Sequence, residues 1–205
     1  RTFGALIVNH PEEPTLATEG VMNEGEASTR LGLPGITPMA EIIMIERDLQ
    51  LVELTNGRYH AAHISTAAAV NAIRQAKRRG LNVSCDTAPH YFALNEYAVG
   101  DYRTFAKVSP PLRSEKDRQA IVDGLADGTI DAVASDHAPQ DQDSKRLPFA
   151  QAAFGIIGLE TLLPLALEVY HNGRWTLLDM VRALSLRPSQ ILGLPSKKKK
   201  KGAAA

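Results

Sequence analysis

The stretch Thr129–Pro139, TIDAVASDHAP, decides the fold. Its first part, TIDAVA, reads as a short strand buried on both faces, the pattern of a parallel sheet. Its second part, SDHAP, puts an acid and an imidazole where that strand ends. α/β barrels carry their chemistry on the C-terminal ends of their strands. Two other segments end the same way: Phe3–Asn9 (FGALIVN) runs into His10, and Arg58–Ala62 (RYHAA) runs into His63. Three strand ends thus present His10, His63 and Asp136, which together read as a partial metal site.

Working outward, strand-like and helix-like segments alternate. After the first strand comes a long loop containing VMNEGEASTRLGLPG, rich in glycine and polar residues. Pro38 sits where a helix over MAEIIMIERDLQLVEL would start, and Asn56-Gly57 would stop it. Thr66 is placed to cap a helix whose Val70, Ile73 and Ala76 recur at helical spacing. LNVSCDTA (81–88) is the next strand. Ser114, with Asp117 three residues on, resembles a capping box for a third helix. TIDAVAS is the last strand, followed by helical patterns in GLETLLPLALEVYHNG, TLLDMVRALS and RPSQILGL. Four βα units in series imply a parallel sheet. They suit a small open sheet or half of an eight-stranded barrel, which typically needs ~250 residues. In either case the long loops follow strands and lie on the catalytic face.

Composition narrows the function. The 205 residues suffice for one ordinary domain. Basic and acidic residues balance at 23 each, giving no bulk electrostatic case for nucleic acid or an anionic membrane. No apolar run approaches the ~20 residues that span a bilayer. The single Cys85 cannot form an internal disulfide, fits a reducing, cytoplasmic setting, and reads as a small buried residue. The C-terminal SKKKKKGAAA differs from the rest and reads as a tag or disordered tail over 195–205, leaving 1–194 as the folded unit.

The chemistry-bearing positions each have two readings. His10 suits a zinc-type imidazole ligand, or a turn histidine beside the acids Glu12 and Glu13, which themselves read as solvated or helix-start groups. His60 and His63 are three apart, so on a strand they would point to opposite faces, and His63 is the better candidate for the mouth. A carboxylate such as Asp136 at the end of a buried strand is costly unless paired. It suits a metal ligand and a proton acceptor and donor, or a turn aspartate before proline. His137 reads as a supporting residue, His90 as lining the mouth, and His171 as a helix C-terminal histidine. Pattern alone reaches metal-assisted hydrolysis with an unknown substrate.

Longer stretches carry a resemblance. NHPEEPTLA, VMNEGEASTRLGLPGI, YHAAHIST, FAKVSPPLRSEKDR and ASDHAPQDQDSKRLPFAQAAFGIIGLETLLPL are similar to the bacterial dihydroorotases, cyclic amidohydrolases of the amidohydrolase superfamily, from about residue 3 to 194. SDHAP alone also occurs in hydantoinases and allantoinases; its continuation through FGIIG and GLET looks like dihydroorotase. The resemblance implies a metal-dependent (β/α)₈ TIM barrel, of which this chain supplies about the last four βα units, with two zinc ions per complete site. It implies interconversion of dihydroorotate and N-carbamoyl-L-aspartate in pyrimidine biosynthesis. His10 and His63 match two zinc ligands, and Asp136 matches a metal ligand that is also the catalytic acid/base. Phe154 and Gly155 match a substrate-contacting backbone segment. Ser109 stands where the family often has Asn and Gln140 where it often has His, both at substrate-touching positions. The family's His-x-His pair, bridging acid or lysine and substrate-binding arginine have no counterpart in these residues, so the chain reads as the second half of a barrel, unstable alone through its unpaired edges. A homodimer is implied. Two rival readings stand beside this one: another cyclic amidohydrolase, and a non-catalytic subunit scaffolding aspartate transcarbamoylase.

Overall fold

The structure is a computed structural model that describes residues 3–195. The lysine-rich tail from 196 onward lies outside the described residues. Four parallel strands form one sheet in the order β1 (Leu6–Asn9), β2 (Arg58–Ala61), β3 (Val83–Thr87) and β4 (Ala132–Val133). The connections run through α1 (Met39–Thr55), α2 (Ala67–Arg78) and α3 (Glu115–Ala126). This is the expected series of βα units, and a parallel sheet follows because each return of the chain runs through a helix. Beyond β4 come α4 (Leu162–His171) and a helical run over Leu177–Ile191 whose middle, Arg182–Leu186, is π-helical.

Local chemistry sets the helix boundaries. Asn56 ends α1 in the left-handed conformation, φ +52°, and its N–H returns to the Val52 carbonyl at 2.7 Å. Thr66 caps α2 by accepting from the Ala69 N–H at 3.1 Å. Ser114 caps α3 by accepting from the Asp117 N–H at 3.2 Å. The expected reciprocal half of that box is absent. The Asp117 carboxylate accepts instead from the Ser114 hydroxyl at 2.5 Å and from the Ala67 N–H at 2.8 Å. One aspartate therefore ties the starts of two adjacent helices together.

The helices cover one side of the sheet. Ile45 and Leu49 of α1, Val70, Ile73 and Ala76 of α2, and Ile121 and Leu125 of α3 pack with Tyr59, Ala61, Cys85 and Val133 in one apolar cluster. The Trp175 indole N–H donates to the Leu125 carbonyl at 2.9 Å, so its polar atom is satisfied within that layer. Cys85 is fully buried, in keeping with a packing role.

Two strands depart from expectation. Phe3–Asn9 was expected to be buried on both faces, yet only Leu6–Asn9 is extended, and Ile7 and Val8 are 60 % and 56 % exposed. The cause is position: β1 pairs with β2 on one side only, so it is a sheet edge. The last strand shrinks to Ala132–Val133, because the backbone turns at Asp136, φ +44°. Leu184, Pro188 and Ile191 of the final helical run, with Leu192 just after it, line an apolar hollow with Leu6, Val8, His60, Asp86 and Ala132–Ala134.

Candidate active site

The register of the sheet sets a polar column on its inner side. His60 pairs with Ser84 across β2 and β3, and Asp86 lies two residues further along the same face. The His60 ring contacts Ser84 Oγ through Nδ1 and Asp86 Oδ2 through Nε2, each at 2.7 Å. The other oxygen of Asp86 accepts from the His63 backbone N–H at 2.8 Å and lies 3.0 Å from His63 Nδ1. His60 and His63 were expected to diverge to opposite faces. They converge on one carboxylate because β2 ends at Ala61 and His63 lies in the following turn at φ +55°, where strand alternation no longer applies.

Burial alone would push the Asp86 carboxyl up; the hydrogen bonds from His60 and His63 outweigh it and bring it down to about 2. For His63, burial pulls downward, but the Asp86 carboxylate and then Asp136 win and raise it. Asp136 approaches from the third strand end. Its Oδ1 lies 3.8 Å from His63 Nε2 and its Oδ2 lies 3.6 Å from His90 Nε2. His90 comes from the short helix Pro89–Ala93 and is 4 % exposed. Burial, then the neighbouring His63, brings its pKa down to about 3. Both His63 and Asp136 hold a positive φ, sparsely populated for residues with a side chain and common at functional sites.

His10 stands at the exposed end of β1, with its ring centroid 6.1 Å from that of His63 in an edge-on arrangement. The other candidates gather around this point. Ser109 donates to Glu12 at 3.3 Å, joining the loop after β1 to the loop after β3. Glu12 is therefore half-buried at the mouth rather than solvated, while Glu13 starts the short helix Pro14–Ala17 as expected. Gln140 is exposed just past Asp136, and Phe154–Gly155 face the same segment, since the Ala138 N–H donates to the Ile156 carbonyl at 2.9 Å. His137 accepts from the Gly158 and Leu159 N–H groups, both at 3.1 Å, so it organises the approach to α4. Gly158 permits this: a Cβ there would lie 1.9 Å from the Ser135 carbonyl oxygen. His171 closes α4 as expected.

The donors fit a metal in kind. Two imidazoles sharing an ion at ~2.1 Å can hold their ring centroids up to roughly 6–7 Å apart, which spans the His10–His63 separation. His90 Nε2 is buried without a hydrogen bond, the mark of a site lacking a partner, whereas His63 Nδ1 is turned toward the Asp86 carboxylate. The set is incomplete, however. Among the described residues no group of three or more His, Cys, Asp or Glu is gathered so as to hold an ion by itself.

Asp86 was missed in the sequence. The signal was present in the i, i+2 pair Ser84 and Asp86, polar on one face of an otherwise apolar strand.

No family model matches the chain. Curated relatives do. It is 49 % identical over 195 residues to the dihydroorotase of Desulforapulum autotrophicum, covering 95 % of this chain and 46 % of that one. It is 52 % identical over 199 residues to the dihydroorotase of Pelobacter propionicus, covering 97 % and 47 %. Over nearly its whole length the chain is similar to dihydroorotases. It spans about half the length of the dihydroorotases it matches. Among solved structures it is similar to the L-hydantoinase (dihydropyrimidinase) of Arthrobacter aurescens, with a TM-score of 0.79 and 26 % identity over 94 % of this chain and 44 % of that one. The fold class is thus α/β, with this chain supplying about four βα units of an amidohydrolase barrel. No helix among the described residues is long and apolar enough to cross a membrane.

Proposed function

We propose that the chain is one half of the catalytic barrel of a zinc-dependent cyclic amide hydrolase that interconverts dihydroorotate and N-carbamoyl-L-aspartate in pyrimidine biosynthesis. The observation that carries the reading is the meeting of Asp136 with His63 and His90 at the strand ends, in a chain about half identical to dihydroorotases. In this reading His10, His63 and Asp136 hold metal, and the remaining ligands of a two-zinc site come from residues outside these 205. A metal held there would supply Lewis acidity, polarising the amide carbonyl and lowering the pKa of water so that hydroxide is available to attack.

Asp136 takes the proton of the attacking water and delivers it to the ring nitrogen as the amide bond breaks. His90, neutral at physiological pH, sits against that carboxylate without neutralising it. Asp86 and His60 hold the His63 ring so that Nε2 faces the site. Ser109, Gln140 and the Phe154–Gly155 backbone supply hydrogen-bonding groups for the ring and its carboxylate. In this reading residues 1–194 supply the C-terminal half of the barrel, 195–205 are a tag or tail, and the enzyme is cytoplasmic and homodimeric.

Turnover of dihydroorotate, hydantoin and allantoin, measured side by side on the whole protein, tests the reading. Dihydroorotate is expected to be the preferred substrate by kcat/KM. The structural likeness to L-hydantoinase favours one alternative, a hydantoinase-type hydrolase, and preference for hydantoin would establish it. No turnover of any ring, with aspartate transcarbamoylase retained on copurification, would establish the scaffold instead.

A further inference from the structure

Two lysines near the site have no part in the chemistry above. Lys107 is 2 % exposed and Lys145 is 4 % exposed. A buried ammonium is costly unless its donors are satisfied, and burial lowers the pKa of both. Their partners are all backbone carbonyls. Lys145 Nζ donates to Thr104 at 3.0 Å, Lys107 at 3.4 Å and Ala153 at 2.8 Å. Lys107 Nζ donates to Phe149 at 2.9 Å and Ala150 at 3.0 Å, and stands 4.5 Å from the centroid of the Phe154 ring.

These bonds join two loops that α3 and β4 separate in sequence. One is the loop after β3, which carries Ser109; the other is the loop after β4, which carries Phe154 and Gly155. A backbone bond completes the seam, from the Gly155 N–H to the Lys107 carbonyl at 2.9 Å. The seam also presses Gly155 against the catalytic segment. At its φ of +134°, a Cβ would lie 2.3 Å from the Ala138 carbonyl oxygen and 3.0 Å from Gln140 Nε2. A lysine ammonium suits such a seam because its three donors radiate from one point on a long stem.

We infer that Lys107 and Lys145 are positioning residues, an internal pair of clamps that fixes the Phe154–Gly155 backbone against Asp136–Gln140 and so sets the substrate-binding geometry. This rests on the proposed ring hydrolysis only for its kinetic consequence; the clamp itself is readable without turnover.

The test replaces Lys145 by methionine in the whole protein, Lys145→Met, which keeps the unbranched stem and removes the donors. Lys107→Met is the second variant, with fewer bonds to lose. Amide hydrogen exchange is expected to quicken at least ~10-fold over residues 147–156 while α2 and α3 keep their protection. KM for dihydroorotate is expected to rise about 10-fold, with kcat changed much less. Unchanged exchange over 147–156 would overturn the inference. So would equal loss of protection in α2 and α3, or failure of both variants to fold, since either would mean the lysines serve the core at large. If the unaltered protein turns over no dihydroorotate, the proposed activity fails, and the exchange result still decides the clamp.

Discussion

Ile73 and His90 are both almost wholly buried, at 0 % and 4 % exposed, yet their surroundings differ in kind. Ile73 lies in the layer between helices and sheet, where side chains are apolar and the Trp175 N–H has found its carbonyl. His90 lies at the strand ends, where its Nε2 has no hydrogen bond, two neighbours hold positive φ, and one buried carboxylate serves two histidines. The first region is consistent at every level. The second departs from local rules in several ways at once, and such departures in an otherwise well-packed protein concentrate where function is. The contrast teaches that stability resides in the helix-facing layer and reactivity in the strand-end face, so changes in each should be separable.

The sharpest test of that separation is Asp136→Asn, which removes the proposed proton carrier but keeps its size. Turnover of dihydroorotate is expected to fall by ~10²–10⁴-fold, with the denaturant midpoint nearly unmoved. A comparable fall in stability would break the contrast. The opposite change is Ile73→Ala. It is expected to cost ~2–5 kcal/mol in denaturant unfolding, while the folded fraction keeps its kcat/KM. Asp86→Asn lies between the regions, because the residue is buried but serves His63. It is expected to reduce metal affinity by ~10–100-fold, measured by competition with a chelator, with a smaller effect on unfolding than Ile73→Ala.

A further expected effect is one of pH. Burial and His63 hold His90 at about 3, below its ordinary 6.5. Between those values the unfolded chain binds a proton that the folded chain does not, so stability falls as pH drops through that window. The slope is at most ~1.4 kcal/mol per pH unit for one such group. His90→Gln is expected to remove this contribution, read as a shallower loss of stability between pH 6.5 and 4. An unchanged slope would mean that His90 is already protonated, paired with Asp136.

What the sequence disclosed follows the same division. Pro38, Asn56, Thr66 and Ser114 mark helix ends through local chemistry, and each does so in the structure. Val70, Ile73 and Ala76 face the core because helical spacing alone determines their side. The strand-end candidates His63 and Asp136 were legible because strands stop where the apolar runs stop. The convergence of His60 and His63 was not, because it depends on a left-handed turn at His63 that no local pattern announces. The exposure of Ile7 and Val8 was hidden for a different reason: an edge strand reads like a central one until its neighbours are known. The roles of Asp86, Lys107 and Lys145 arise mainly from partners distant in sequence, such as His63, 23 positions from Asp86, and Phe149, 42 positions from Lys107.

The measurement that tests the central claim most directly is the metal content of the whole protein by elemental analysis, compared with that of the His10→Ala, His63→Ala double variant. The unaltered protein is expected to hold about two zinc ions per chain, and the double variant to lose at least one of them together with dihydroorotate turnover. Full metal content in the double variant would show that the strand-end histidines hold no metal and would contradict the account.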